Sequence, residues 1–216
     1  NEIKDYIKHQ SYSSMGSDVA DLNGDGQLDI MTLDMLPNTN KRVKQMMNQT
    51  RFVFYELLER KNYELQYVRN CLQVSNGTSY SEVSQLAGVE ATDWSWSILF
   101  ADYDNSGARD IFISNGFPRD VTDLDFGHYR AGAYGRLSST QTVLSQIPEV
   151  KIRNFFYQNQ GNLQFQDVSE SWGLELPSFS NGAAYGDLDN DGDLDLVVNN
   201  INDKAFVFQN HASDLY

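Results

Sequence analysis

The chain has 216 residues, 40% of them apolar, enough for one large domain or a slice of a larger array, and carries a net charge of −14. That acidity argues against a nucleic-acid backbone as partner, and no run of about 18 apolar residues offers a transmembrane helix. Cys71 is the single cysteine, so disulfides do not hold the fold, and a start at Asn1 without Met reads as a mature or excised piece.

From the N-terminus, Glu2–Tyr6 reads as an outer strand, and residues 1–15 as a linker from a preceding unit. Gly16–Ala20, a strand of small residues, runs into Asp21-Leu22-Asn23-Gly24-Asp25-Gly26-Gln27-Leu28-Asp29, and the apolar Leu28–Leu33 leaves it. In this nonapeptide Asp21, Asn23, Asp25 and Asp29 put oxygens at positions 1, 3, 5 and 9, and Gly26 sits at 6. Alternate residues point inward, Gly permits a sharp turn, and the position-7 carbonyl of Gln27 adds a backbone oxygen. Such a pattern is what a tight loop around Ca²⁺, which takes roughly 6–8 oxygens, needs. The plainer reading is an acidic turn, because Asp, Asn and Gly are ordinary turn residues.

Residues 37–64 read as a helical insertion, capped by Asn38-Thr39-Asn40, with Val43, Met46, Met47, Thr50, Phe54, Leu57 and Leu58 on one face. Seven of the sixteen Lys and Arg lie between Lys41 and Arg69, which fits a solvated helix face better than an anion or membrane site. Strands at Tyr67–Val74 and Tyr80–Val83 follow. The next small-residue strand, Ser97–Ala101, opens a second loop with Asp102, Asp104, Ser106, the carbonyl of Ala108 and Asp110 in the ligand slots, and Ile111–Ser114 leaves it.

A second insertion, residues 116–151, holds Arg119, Asp120, Asp123 and His128, which fit either acid–base chemistry or a salt-bridge network. Its tail from Ser138 to Ile147 reads as a short capped helix before Pro148. Ile152–Gln158 and Gln164–Val168 are strands, and Gly182–Gly186 leads into the third loop. That loop offers Asp187, Asp189, Asp191, the carbonyl of Asp193, and Asp195, followed by Leu194–Asn199 and Ala205–Gln209 as strands. Its position 12 is Val198 and its flanks are strands, so this is a hairpin clasp rather than an EF-hand.

The second and third loops are 85 residues apart, and the segments before them match. Arg69-Asn70-Cys71-Leu72 answers to Arg153-Asn154-Phe155-Phe156, and Ala87-Gly88-Val89 to Trp172-Gly173-Leu174. The period makes each unit four antiparallel strands, A to D, so the expected fold is all-β with helical insertions. It is a partial β-propeller with blades at 16–90 and 91–174 and an incomplete blade at 175–216. Alternation of strand direction puts the A–B loops at one end and both insertions at the other, which makes the metal a structural clip. Three bound Ca²⁺ would bring the charge to about −8.

The pattern Asp-x-Asp/Asn-x-Asp-Gly-x-x-Asp between small-residue and apolar strands resembles FG-GAP (VCBS-type) repeats, the calcium-binding blades of integrin α-subunit propellers. Ser13-Ser14-Met15-Gly16, Asp34-Met35-Leu36-Pro37, Gln85-Leu86-Ala87-Gly88-Val89, Ala91-Thr92-Asp93-Trp94-Ser95-Trp96 and Asn115-Gly116 with Arg119-Asp120-Val121 are similar to VCBS repeat proteins of Bacteroidetes. Members of that group often carry an ASPIC/UnbV domain, which these residues do not include. The resemblance implies up to three Ca²⁺ and a location at the outer-membrane surface, in the periplasm or outside a Gram-negative cell. Ser106 departs from the family's Asp or Asn, so the second loop is expected to bind most weakly and the third, with four side-chain carboxylates, most tightly.

Three functional readings follow. The first is a non-catalytic binding or adhesion module for a glycan or protein, favoured because no nucleophilic triad or phosphate-cradling loop is present. In it, Trp94 and Trp96 either stack on sugar rings or pack in the core. The second is part of a polysaccharide-degrading lyase or hydrolase using Arg119, Asp120, Asp123 or His128. The third is a structural spacer. Unpaired blade edges also invite edge-to-edge self-association.

Overall fold

Acidic hairpins turn the chain back on itself three times, and each turn opens an antiparallel sheet. A computed structural model describes residues 2–7, 9–46 and 52–215. In chain order, a helical turn α1 (Ile3–Tyr6) and a short strand β1 (Gln10–Ser11) precede β2 (Ser17–Ala20) and β3 (Asp29–Thr32). Helices α2 (Asn40–Gln45) and α3 (Phe52–Arg60) lead to β4 (Gln66–Tyr67), β5 (Cys71–Ser75), β6 (Tyr80–Glu82) and the single turn α4 (Ser84–Ala87). Strands β7 (Ser95–Ala101) and β8 (Asp110–Asn115) come next, then α5 (Leu124–Ala131), α6 (Ala133–Leu137) and α7 (Thr140–Leu144). The remaining strands are β9 (Phe155–Asn159), β10 (Phe165–Asp167), β11 (Ser180–Gly186), β12 (Asp195–Asn200) and β13 (Phe206–Phe208).

The first sheet runs β2-β3-β5-β6, the second β7-β8-β9-β10 and the third β11-β12-β13. The chain is mostly β, with two four-stranded antiparallel sheets and short helices in the connections. The leading strands lie side by side, β2 against β7 and β7 against β11. Small residues make this approach possible. A Cβ on Gly16 would stand 2.2 Å from the Trp96 carbonyl oxygen, and one on Gly116 would stand 2.1 Å from that of Ser178. At the β2–β7 junction the Phe100 N–H donates to Asp18 Oδ2 at 2.8 Å, which satisfies an edge amide with a side chain.

The core lies between the sheets. Met31, Leu72 and Val89 of the first unit pack against Ile98, Ile111, Ile113 and Phe155 of the second. Phe112 and Phe156 point the other way, onto Leu196 and Val198 of the third. Strand β8 is therefore buried along both faces, and its centre, Ile111-Phe112-Ile113, is unbroken apolar sequence, as expected of a strand sandwiched between layers.

Several sequence expectations are corrected. Glu2–Tyr6 is not a strand: Ile7 N–H donates to the Ile3 carbonyl in a helical turn, and Gln10–Ser11 pairs instead, parallel to Gln66–Tyr67. The single helix expected across residues 37–64 is two helices, and Met47 and Thr50 lie outside the described residues. Thr39 caps the first as expected, but Met46 is extended and forms a bridge with Asp123, so the helix stops there. Val43 and Leu57 of the expected apolar face are 45% and 50% exposed, so they do not carry the packing.

The third strand of each full unit starts later than expected, at Cys71 and Phe155. The cause is the preceding asparagine. Asn70 Oδ1 accepts from the Asp34 N–H and Asn154 Oδ1 from the Asn115 N–H, each at 2.8 Å, so a side chain takes the place of a ladder carbonyl. The capped helix after Ser139 is present as α7, while α5 and α6 were not expected.

Cys71 is 1% exposed in β5, and burial, with the Glu82 charge adding to it, pushes its thiol up to about 12. The folded protein should therefore resist thiol-specific reagents at pH 8 and react stoichiometrically once unfolded in guanidinium, a difference that a colorimetric thiol titration reads.

Candidate metal centres

The three acidic loops share one hydrogen-bond scheme. Position 1 accepts the position-6 glycine N–H: Gly26 to Asp21 and Gly107 to Asp102 at 2.8 Å, and Gly192 to Asp187 at 3.2 Å. Position 3 (Asn23, Asp104, Asp189) accepts the N–H of position 5, and position 5 (Asp25, Ser106, Asp191) accepts that of position 7. The Ser106 hydroxyl thus makes the bond that a carboxylate makes in the other two loops. The glycines at position 6 have φ of 83°, 89° and 95°, the left-handed region where a side chain is strained.

Position 9 is buried in all three loops. Asp29, Asp110 and Asp195 are 0%, 0% and 2% exposed. One oxygen accepts the N–H of loop position 2 (Leu22, Tyr103, Leu188), and the other accepts the N–H that ends or follows the third strand (Ser75, Asn159, Asn210). Burial pushes Asp110 up to about 7, with the neighbouring Asp104 and Asp102 charges adding to the push and the Asn159 and Tyr103 amides opposing it. Asp29 is likewise raised by burial. Against the upward push of its own burial, hydrogen bonds from Gln158 and Ser106 hold Asp104 below the usual carboxylate range.

Among the described residues, two groups of carboxylates converge far enough to share one cation. Asp102, Asp104 and Asp110 each place an oxygen within 4.8 Å of the other two, as do Asp187, Asp189 and Asp191. The first loop has Asn23 in place of one carboxylate, and Asn23 Nδ2 donates to Asp25 Oδ2 at 3.0 Å. The donor set is oxygen throughout, which suits a hard cation such as Ca²⁺ better than a thiolate- or imidazole-seeking metal. A carboxylate has about four lone-pair sites, so amide contacts leave room for a metal bond. The Asp193 carboxylate does something else: it accepts from Asn105 Nδ2 at 2.7 Å and Ser213 N–H at 2.8 Å, which ties the third loop to the second and to the segment after β13.

Sequence reading missed the residues that hold the loops in place. Asn159 Nδ2 donates to the Leu22 and Arg109 carbonyls, and Asn210 Nδ2 to those of Tyr103 and Leu194, so each asparagine ties its own loop to that of the preceding sheet. Gln158 and Gln209 donate to Asp104 and Asp189 at 2.6 and 2.5 Å. The shared Gln-Asn pair at 158–159 and 209–210 was the available signal.

At the opposite end the two insertions meet around one guanidinium. Arg42 donates through Nε and Nη2 to Asp93 at 3.0 and 3.1 Å and through Nη1 to Asp120 at 3.0 Å. Asp93 and Asp120 are 2% and 0% exposed, and Asp120 also accepts from Thr122 Oγ1. Of the residues considered for acid–base chemistry, Asp120 is thus locked in an ion pair and Asp123 caps α5 through Phe126 N–H. Arg119 and His128 are exposed. Trp94 is buried and stacks on Phe117 at 4.6 Å, and Trp96 packs on the same ring and donates to the Gly116 carbonyl, so both belong to packing rather than to an open platform.

An FG-GAP-like repeat matches residues 151–198, a stretch that spans β9, β10, β11 and β12 as far as Val198, with the third acidic loop inside it. No curated protein matches the chain at a significant level.

Removing the guanidinium would leave two buried carboxylates facing each other. Arg42→Met should cost about 3 kcal/mol in urea unfolding. Arg42→Lys should recover only part of the loss, because an ammonium cannot reproduce a fork that serves two carboxylates at once.

Proposed function

We propose that the chain is a calcium-stabilised β-propeller module of the FG-GAP/VCBS kind, as the resemblance to VCBS repeat proteins of Bacteroidetes and integrin α-subunit blades implies. It serves a non-catalytic binding or adhesion role toward a glycan or protein at a bacterial surface. The observation that carries this reading is the set of hydrogen bonds common to the three loops, in which backbone amides hold the carboxylates at positions 1 and 9. The matched FG-GAP-like repeat and the two four-stranded sheets, laid side by side through their leading strands, support the propeller. Within it, Asp102, Asp104 and Asp110, and Asp187, Asp189 and Asp191, would hold the cation with the position-7 carbonyls, and the charge it supplies would offset their mutual repulsion.

Of the four residues offered for the lyase or hydrolase reading, Asp120 and Asp123 both have structural partners. The binding reading asks less of the insertions, which need only present a surface.

Calorimetric titration of chelator-stripped protein with Ca²⁺ should give saturable binding, and Ca²⁺ at about a hundred times its dissociation constant should raise Tm by roughly 5 °C or more. Asp104→Ala and Asp189→Ala should each remove one binding event, and an unchanged titration in both variants would sink the metal assignment. Incubation of calcium-loaded protein with a polysaccharide and host-glycan panel then separates the roles. Retention that EDTA abolishes without released fragments fits a binding module, and unsaturated or new reducing ends would make it an enzyme.

A further inference from the structure

The charge of this acidic chain is divided unevenly. Residues 37–46 and 126–148 hold five of the sixteen Lys and Arg and none of the thirty Asp and Glu. The fold brings the two stretches to one end, because α2 is tied to the second insertion by the Arg42–Asp120 ion pair and the Met46–Asp123 bridge. Arg42 is spent on that junction. Lys41, Lys44, Arg130 and Arg136 are exposed, and their side chains have no partner among the described residues.

The same end carries the apolar side chains that the protein covers least. Leu137 and Tyr134 are 88% and 85% exposed, the highest values among the large apolar residues described. They stand three residues apart in α6, on one side of the helix. The packing of α6 fixes which side that is. Gly135 is buried against α5, where a Cβ would stand 2.4 Å from the Tyr129 carbonyl oxygen and 2.8 Å from Arg130 Cα. The helix thus turns its glycine inward beside Arg130 and holds Tyr134 and Leu137 out in water. A single bare apolar residue is ordinary, but this pair sits among unpaired cations in a stretch free of carboxylates.

We propose that this end of the molecule docks onto a bilayer surface rich in anionic lipids. Tyr134 and Leu137 enter the boundary between headgroups and acyl chains, while Arg130, Arg136, Lys41 and Lys44 meet the lipid phosphates. A lipid surface fits better than an acidic polysaccharide, because a leucine gains burial among acyl chains and gains nothing from sugar hydroxyls. Tyrosine, apolar in its ring and polar at its hydroxyl, suits the same boundary. The acidic loops, at the other end of the sheets, keep their charge away from the anionic surface.

Co-sedimentation of the 216-residue protein with vesicles of equal parts phosphatidylcholine and phosphatidylglycerol tests this, with pure phosphatidylcholine vesicles alongside. Binding is expected to the mixed vesicles alone, and it should fall as salt is raised. Arg130→Gln combined with Arg136→Gln should weaken it about tenfold. Tyr134→Ser combined with Leu137→Ser should weaken it by about tenfold or more. All four side chains are exposed, so Tm should stay at the parent value in both variants. Tyr134→Trp should add a fluorophore whose emission brominated acyl chains quench more than that of the parent. No binding to the mixed vesicles, equal binding to both kinds, or binding that both double variants keep would overturn the proposal. So would capture on alginate beads, lost in the arginine variant, by protein that ignores vesicles, since the partner would then be an acidic polysaccharide.

Discussion

A carboxylate with almost no exposure must find donors inside the protein, and each of the three position-9 aspartates finds two on different elements. One oxygen closes the acidic loop, and the other anchors the end of the third strand. The register of that strand, the closure of the loop and the inward aim of the remaining oxygens are therefore set by the same side chain. Replacing any of the three by an apolar residue would orphan two backbone amides at once, so the loop and the strand stand or fall together.

The sheets are joined at both ends by polar side chains that reach across. At the acid end Asn159 and Asn210 bind carbonyls of their own loop and of the neighbouring one. At the far end Asn154 Nδ2 donates to Ser180 Oγ, and Ser180 to Asn200 Oδ1, while the Arg42 fork joins the two insertions. The apolar clusters between the sheets supply burial without direction; these bonds supply the direction.

Much of this was legible in the chain. The spacing of Asp, Gly and apolar residues located all three hairpins, and the match of Arg69–Leu72 with Arg153–Phe156 located the repeat, because period-2 burial and turn chemistry are local properties. What stayed hidden depends on contacts far apart in sequence. Asn70 and Asn154 shorten the third strands by bonding to a facing amide, which no propensity encodes. Arg42 looked like one cation among seven on a solvated face, yet its partners lie 51 and 78 residues away. The aspartate at position 9 was expected as a ligand of the loop, and its attachment to the strand end needed the fold.

This division bears on what a cation would add. Every loop is already closed by backbone donors, so an ion arriving there meets oxygens whose conformational freedom is largely spent, and little of its binding energy goes into ordering the loop. What it must still offset is the burial of charge and its crowding, since Asp110 is pushed up first by burial and then by the Asp104 and Asp102 charges. In the proposed reading calcium therefore acts on charge more than on shape. The insertions at the far end, joined to the sheets through Arg42, Trp94 and Phe117, keep their geometry by packing and ion pairing that involve none of the loop carboxylates. A partner bound at that end would then feel calcium only through the stability of the sheets beneath it.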